Sequence, residues 1–261
     1  MLKGKVALLV GASTGLGRTC ALRLVSEGAK MIIADINKEA GEETARRIQA
    51  MGGQATFIRV DVTSIRQIEY MVNTAAGLYG TIDIFWHNAG VIFPGHIETV
   101  IEKDYELEMA VGLKAAVFGT KFIIPVMKKA GGGTILYTSS MVGLRPTPYK
   151  EGYSLTHGIE KAGIVMLMRC VTEPLSRYRI RVNCICPDPV ATEQWKAGQV
   201  LQAKACGIPP DEYIRVGIER LPIKRLITED EVAEAVLFLI SDRSPGITGI
   251  ALPIDGGFTS V

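Results

Sequence analysis

The chain has 261 residues, of which 29 are Lys or Arg and 27 are Asp or Glu, giving a formal charge of +2. A balance this even does not suggest the basic surface of a nucleic-acid binder or the polybasic face of a membrane-surface protein, and a small-molecule partner is expected. The length suits one α/β domain with a full core, and no uninterrupted apolar run reaches the roughly 18 residues expected of a membrane span.

Met1-Leu2-Lys3-Gly4 runs directly into an apolar strand pattern without the features of a signal peptide, so a cytoplasmic location is expected. Cys20, Cys170, Cys184, Cys186 and Cys206 show no CxxC pairing, and Cys184 and Cys186 share one face of a strand at period two. Reduced, mostly buried thiols are therefore expected. His87, His96 and His157 are not spaced as a metal set, so no metal site is expected.

In chain order, the apolar run Val6 to Val10 opens into Gly11-Ala12-Ser13-Thr14-Gly15-Leu16-Gly17, after which Leu16, Cys20, Leu24 and Val25 recur at helical spacing. This reads as strand, glycine turn, helix. Gly11, Ser13, Gly15, Leu16 and Gly17 would let the backbone approach a pyrophosphate whose charge is favoured by the free N–H groups of the helix start; a plain strand-to-helix turn uses the same glycines. The next strand, Met31 to Ala34, ends at Asp35-Ile36. A carboxylate there accepts from both hydroxyls of an adenosine ribose and repels a 2′-phosphate, which selects NAD over NADP; the alternative is an exposed turn or N-cap residue. A helix from about Lys38 to Met51 leads through Gly52-Gly53 to the strand Ala55 to Val60 and then Asp61-Val62, where Asp61 either meets the adenine amine or caps the next helix. The fourth strand, Ile82 to Trp86, ends at His87-Asn88-Ala89-Gly90. Small residues at a strand's carboxyl end admit a flat cofactor ring, and Asn88 can tie neighbouring strands together.

GASTGLG with Asp35, Asp61-Val62 and Asn88-Ala89-Gly90 resembles the short-chain dehydrogenase/reductase family, and the resemblance runs from Lys3 to about Phe258. It implies a single domain over 1–261: a doubly wound parallel sheet of the Rossmann type, flanked by helices on both faces. It also implies NAD as cofactor, a small-molecule alcohol or ketone as substrate, and a homotetramer. In the family, the long helix after the Asn-Ala-Gly element carries a catalytic Asn; Gly112 stands in that place here. Glycine keeps the local kink but supplies no amide. Ser139-Ser140 follows the strand Thr134 to Thr138, and the resemblance makes Ser140 the residue that hydrogen-bonds a substrate oxygen, with Ser139 structural.

The family's Tyr-x-x-x-Lys element can be placed in two ways. Counting forward from Ser140 reaches Tyr153, with His157 where the Lys belongs; counting back from Ile180-Arg181-Val182-Asn183 puts His157 in the Tyr position and Lys161 in the Lys position. Four extra residues inside a helix would displace its end by about 6 Å, whereas a loop absorbs them at small entropic cost. The insertion is therefore assigned to the loop Pro146 to Gly152, with Lys161 retained to hold the nicotinamide ribose. Tyr153, His157 and Lys161 are then expected on one helix face at i, i+4 and i+8. An imidazole starts near a pKa of about 6.5, and a nearby ammonium disfavours its protonated form, which suits a base in alcohol oxidation. Tyr153 as the acid/base, and a site without hydride transfer, remain the alternatives.

Pro187-Asp188-Pro189-Val190-Ala191-Thr192 resembles the family's nicotinamide-holding element, which assigns Pro187, Val190 and Thr192 to the cofactor amide. Asp188 replaces the usual Gly and either alters the local turn or contacts a polar substrate, or else points to solvent from a turn that Pro189 already fixes. Glu193 to Leu221 is expected to form a substrate cover. Thr228, with Glu231 three residues on, reads as a helix N-cap, and Ile250 to Ile254 as the last strand. The resulting expectation is an NAD-dependent oxidoreductase interconverting a secondary alcohol and a ketone. A dinucleotide-binding protein without turnover and a non-redox acid/base enzyme are the other two readings.

Overall fold

Seven short runs with apolar residues on both faces form seven strands: β1 (Val6–Val10), β2 (Lys30–Asp35), β3 (Ala55–Arg59), β4 (Ile84–His87), β5 (Gly133–Thr138), β6 (Ile180–Pro187) and β7 (Ala251–Ile254). The computed structural model describes residues 1–146 and 155–261. The strands form one sheet in the order β3-β2-β1-β4-β5-β6-β7, every pairing parallel. A parallel sheet requires crossovers, and its helices cover both faces. That explains why β1 is buried at all five positions instead of alternating.

The two faces have separate cores. On one, Leu8, Ile32, Phe85, Ile135 and Tyr137 pack with α3 (Ile65–Tyr79), α5 (Ala115–Ala130) and α6 (Leu155–Ser176). On the other, Leu9, Ile33, Trp86, Leu136 and Ile185 meet α1 (Gly15–Ser26), α2 (Lys38–Ala50) and α9 (Glu229–Ile240). Each fully buried side chain of this size contributes roughly 1.5–3 kcal/mol. Between β4 and α5 the chain forms α4 (Glu102–Met109), which passes through a π-helical turn at Ala110–Lys114 into α5. The continuous rod Glu102–Ala130 is long and apolar enough, by length and composition, to cross a membrane. Here Ala116, Gly119, Thr120, Ile123 and Met127 form a buried stripe within the sheet's helical layer.

Local signals set most boundaries. Asn37 Oδ1 accepts from Ala40 N at 3.1 Å and starts α2. Thr228 and Glu231 form the expected capping box of α9. Asp61 does not cap α3: Ser64 is the N-cap, while Asp61 Oδ1 accepts from Thr63 N at 2.9 Å and Thr63 Oγ1 at 2.7 Å. The segment Glu193 to Leu221 folds largely as α7 (Glu193–Cys206) and α8 (Pro210–Glu219). Its two ends are tied by a parallel bridge between Val190 and Ile227, with Ala191 N donating to Ile227 O at 2.9 Å and Ile227 N to Pro189 O at 3.0 Å.

Candidate active site

The strand order reverses on either side of β1 and β4, and at such a switch point the carboxyl ends of parallel strands leave a crevice. A cavity of 730 Å³ lies there. Gly11, Ser13, Gly15, Leu16 and Gly17 line it from the β1–α1 turn, Asp35 and Ile36 from the end of β2, and Asp61 and Val62 from the end of β3. Asn88, Ala89 and Gly90 follow β4; Ser140, His157 and Lys161 come from β5 and α6; Pro187, Val190 and Thr192 follow the body of β6. The structure thus brings together every site residue expected from the sequence except Tyr153, which lies outside the described residues.

The glycines of the first turn answer to crowding. Gly11 has φ 78°, and a Cβ there would stand 2.6 Å from the Ala89 backbone. A Cβ on Gly17 would stand 2.2 Å from Gly11 O. The turn is consequently a bare-backbone cradle. Thr14 precedes α1 without a side-chain cap, and the first turn holds no acidic residue, so the leading amides of the helix remain open to an anion. Asp35 is fixed at the crevice edge by Ser13 N on Oδ2 at 3.2 Å and Asn37 N on Oδ1 at 3.0 Å. Asn88 ties β1, β4 and β5 as expected, donating to Gly11 O at 2.8 Å and accepting from Thr138 Oγ1 at 2.9 Å.

At the inner end, Lys161 Nζ donates to Thr138 O at 3.2 Å, and Ser139 Oγ donates to Lys161 O at 2.8 Å. These bonds anchor α6 against β5 and leave Ser139 with a structural contact. Ser140 Oγ donates to Asp188 Oδ2 at 3.3 Å and accepts from Val142 N at the same distance. Asp188 therefore does not point to solvent. It lies partly buried in the crevice, and burial pushes its carboxyl up to about 6, with hydrogen bonds from Ser140 and Trp195 opposing the shift. Thr192 Oγ1 accepts from Trp195 N at 3.0 Å and so also caps α7. A second cavity of 500 Å³ adjoins the first, walled by apolar residues such as Val142, Ile159, Val216 and Phe258. His157, Asp188 and Trp195 line both cavities.

The sequence did not announce what surrounds His157. Its Nδ1 lies 3.2 Å from Glu108 Oε1 and 3.8 Å from Glu160 Oε2, and Lys161 Nζ lies 3.3 Å from the same Glu160 oxygen. Glu160 fills the volume beside Gly112: a Cβ at that glycine would stand 1.9 Å from Glu160 Oε1 and 2.3 Å from its Cδ. Glu108 and Glu160 are each 1% exposed. Among the described residues Glu108 Oε2 has no hydrogen-bond partner, and the buried Glu160 carboxylate is met by the Lys161 ammonium as an ion pair. The π-helical kink survives at Gly112, and His87 Nε2 meets its carbonyl at 3.0 Å.

Burial dominates the titration of this cluster. It drives Glu108 up to about 8, reinforced by the charge of Glu160 and opposed by Lys161 and the Phe93 backbone. It raises Glu160 as well, against the pull of Lys161. It lowers His157 to about 3 and His87 to about 4, with the Lys161 charge adding to both. The imidazole of His157 is therefore not poised near 6.5, as the sequence alone suggests; it stays neutral across the physiological range.

The crevice fits a dinucleotide with the features of NAD. The cradle that a Cβ would fill, the uncapped α1 amides and the Asp35 carboxylate stand in the order pyrophosphate and ribose require. Arg18, the basic residue closest to the turn in sequence, donates to Ser13 O and Thr44 Oγ1 at 2.9 and 2.8 Å, so its guanidinium is committed to the scaffold.

Residues 11–259 match the family profile described as enoyl-(acyl carrier protein) reductase. An uncharacterised oxidoreductase of Thermotoga maritima is 38% identical over 259 residues, 99% of each chain. A 2,5-dichloro-2,5-cyclohexadiene-1,4-diol dehydrogenase of Sphingobium indicum is 33% identical over 258 residues, covering 99% of this chain and 97% of that protein. Among solved structures, NAD⁺-bound xylitol dehydrogenase superposes with a TM-score of 0.93 at 29% identity, over 98% of this chain and 99% of the other. Levodione reductase gives 0.93 at 27% identity over the whole of both chains.

Proposed function

Because the chain belongs to the short-chain dehydrogenase/reductase family of oxidoreductases, we propose that it is an NAD-dependent enzyme that interconverts a secondary alcohol and a ketone, with a histidine in the place of the family's tyrosine. One observation carries the reading: Ser140 and Lys161 line the dinucleotide crevice together with His157, which also forms the wall of the adjoining apolar cavity. A substrate in the second cavity would present its oxygen at that wall. Bound NAD⁺ supplies the hydride acceptor.

The chain's own groups do the rest. The Asp35 carboxylate accepts from the adenosine ribose, and Lys161 holds the nicotinamide ribose; the bond that keeps its ammonium at Thr138 O, on the crevice wall, supports this role. Ser140 turns its hydroxyl from Asp188 to the substrate oxygen, and His157 takes the hydroxyl proton as the carbinol hydride leaves. α7 and α8 serve as the substrate cover, and the mostly apolar second cavity favours a bulky, weakly polar alcohol. A reducing, cytosol-like compartment and a homotetramer complete the proposal; the free thiols of all five cysteines support the first.

The test is NADH formation followed by its absorbance across a panel of cyclic and acyclic secondary alcohols, with wild type beside His157→Gln. Loss of about 10²–10⁴-fold in kcat for the variant, with NAD⁺ affinity kept, is the expected result. NAD⁺ binding without turnover on any alcohol would favour a binding protein, and substrate consumption without absorbance change a non-redox acid/base enzyme.

A further inference from the structure

We propose that Glu108 is the positioning partner of His157: its carboxyl holds the imidazole through Nδ1 and exchanges a proton with it, so that His157 passes a proton between the substrate oxygen at Nε2 and Glu108 without becoming an imidazolium. The inference deepens the dehydrogenase reading and rests on it for the identity of the proton donor. In the oxidation direction, the substrate O–H bond breaks and its proton joins Nε2. The Nδ1 proton moves to the Glu108 carboxylate as the carbinol C–H pair leaves as hydride to NAD⁺. Reduction runs the same transfers backwards.

Geometry comes first. Glu108 Oε1 stands 3.2 Å from His157 Nδ1, and the Glu108 side chain is fully shielded from solvent while its second oxygen has no hydrogen-bond partner among the described residues. A buried carboxyl kept for structure alone is normally saturated with donors; a half-satisfied one costs stability and calls for another role. The charged and titratable groups facing it are His157, Glu160 and Lys161 from α6, Asp104 from its own helix, and His87 beyond the Gly112 carbonyl. Burial, and then Lys161, oppose charge on the imidazole, whereas burial and Glu160 favour a proton on Glu108 against the smaller pull of the Phe93 backbone and Lys161. The proton is more stable on the carboxyl than on the ring. Glu160 supplies the nearest second carboxyl, at 3.8 Å from the same ring nitrogen, in the volume that Gly112 leaves open.

The experiment reads the tautomer of His157 by nitrogen NMR in the full chain labelled with ¹⁵N-histidine, with no cofactor and no substrate, from about pH 5.5 to 9. His157→Gln assigns the signal. The expected result is a ring that stays neutral throughout and changes from the Nε2–H to the Nδ1–H form as Glu108 ionises near pH 8. Glu108→Gln should fix one tautomer at all pH values, and Glu108→Asp should restore the change with a shifted midpoint. An imidazolium that titrates near 6.5, or a tautomer change that persists in Glu108→Gln, overturns the proposal. If Glu108→Gln fails to fold, the wild-type titration alone decides between these results. Failure of every alcohol to yield NADH would remove the dehydrogenase reading and leave this spectroscopic result standing, so the two can fail separately.

Discussion

Replacing Gly112 by Asn, the residue the family pattern has there, should damage this protein instead of repairing it. A Cβ at position 112 would lie 1.9, 2.3 and 2.8 Å from Glu160 Oε1, Cδ and Cγ. The outer atoms of a glutamate usually swing aside, but Glu160 is 1% exposed and Gly112 is buried, so the displaced carboxyl has no route to water. Overpacking of this kind costs about 1–3 kcal/mol. At about 2–4 °C per kcal/mol for a chain of this length, Gly112→Asn should lower Tm by about 2–12 °C in a thermal melt followed by circular dichroism. Glu160→Ala should open the volume, so that Gly112→Asn/Glu160→Ala melts above Gly112→Asn alone, with a coupling of about 0.5–3 kcal/mol in the cycle. An unchanged Tm for Gly112→Asn, or independent losses that simply add, would refute the reciprocal exchange of volume between the two positions.

Three further outcomes are expected. Asp35→Ala should improve NADP⁺ affinity relative to NAD⁺ by about tenfold, or about 1.4 kcal/mol, in fluorescence titrations, because removing the carboxylate removes its repulsion of a 2′-phosphate; an unchanged ratio would remove Asp35 from cofactor choice. Thr228→Ala should cost about 1 kcal/mol, read as about 2–4 °C in Tm, since the capping box of α9 loses its side-chain acceptor. Glu108 is raised from 4.5 to about 8, so between those values the native state keeps a proton that the unfolded chain has released, and stability falls as pH rises. His157 and His87, lowered from 6.5 to about 3 and about 4, act in the opposite sense and cost stability only as pH drops below 6.5. From pH 6.5 to 8 the Glu108 contribution is thus unopposed by them and amounts to about 2 kcal/mol. Glu108→Gln should flatten the fall of Tm over that range; an identical slope in both proteins would contradict the raised carboxyl.

The frame was legible because its signals are local. Apolar runs of strand length, the glycine turn at Gly11 to Gly17 and the Thr228–Glu231 cap each fix their element within a few residues of sequence, and Lys161 falls where the count back from Ile180 puts it. The carboxyl cluster was not legible. Glu108 sits in the polar run Glu102 to Met109, which reads as a solvated helix face; only the approach of α6 buries it. Glu160 resembles any charged neighbour of a helix lysine. Gly112 did carry a usable hint, since a small residue where relatives have a larger one leaves volume that something else must fill. Asp188 also had several readings in sequence, and the hydrogen bond from Ser140 removes the one in which it points to solvent.

The short bridge joining Val190 to Ile227 gives the chain a modular architecture. Because the two ends of the intervening α7–α8 segment are pinned side by side, that segment closes on itself, and its length and composition can change at little entropic cost to the frame. Selection can exchange what covers the apolar cavity while the sheet, the glycine turn and the histidine–carboxyl cluster stay in place. Grafting residues 193–226 between relatives should accordingly carry substrate preference with it, while the glycine turn, Asp35, Lys161 and Thr192 of the crevice stay with the recipient.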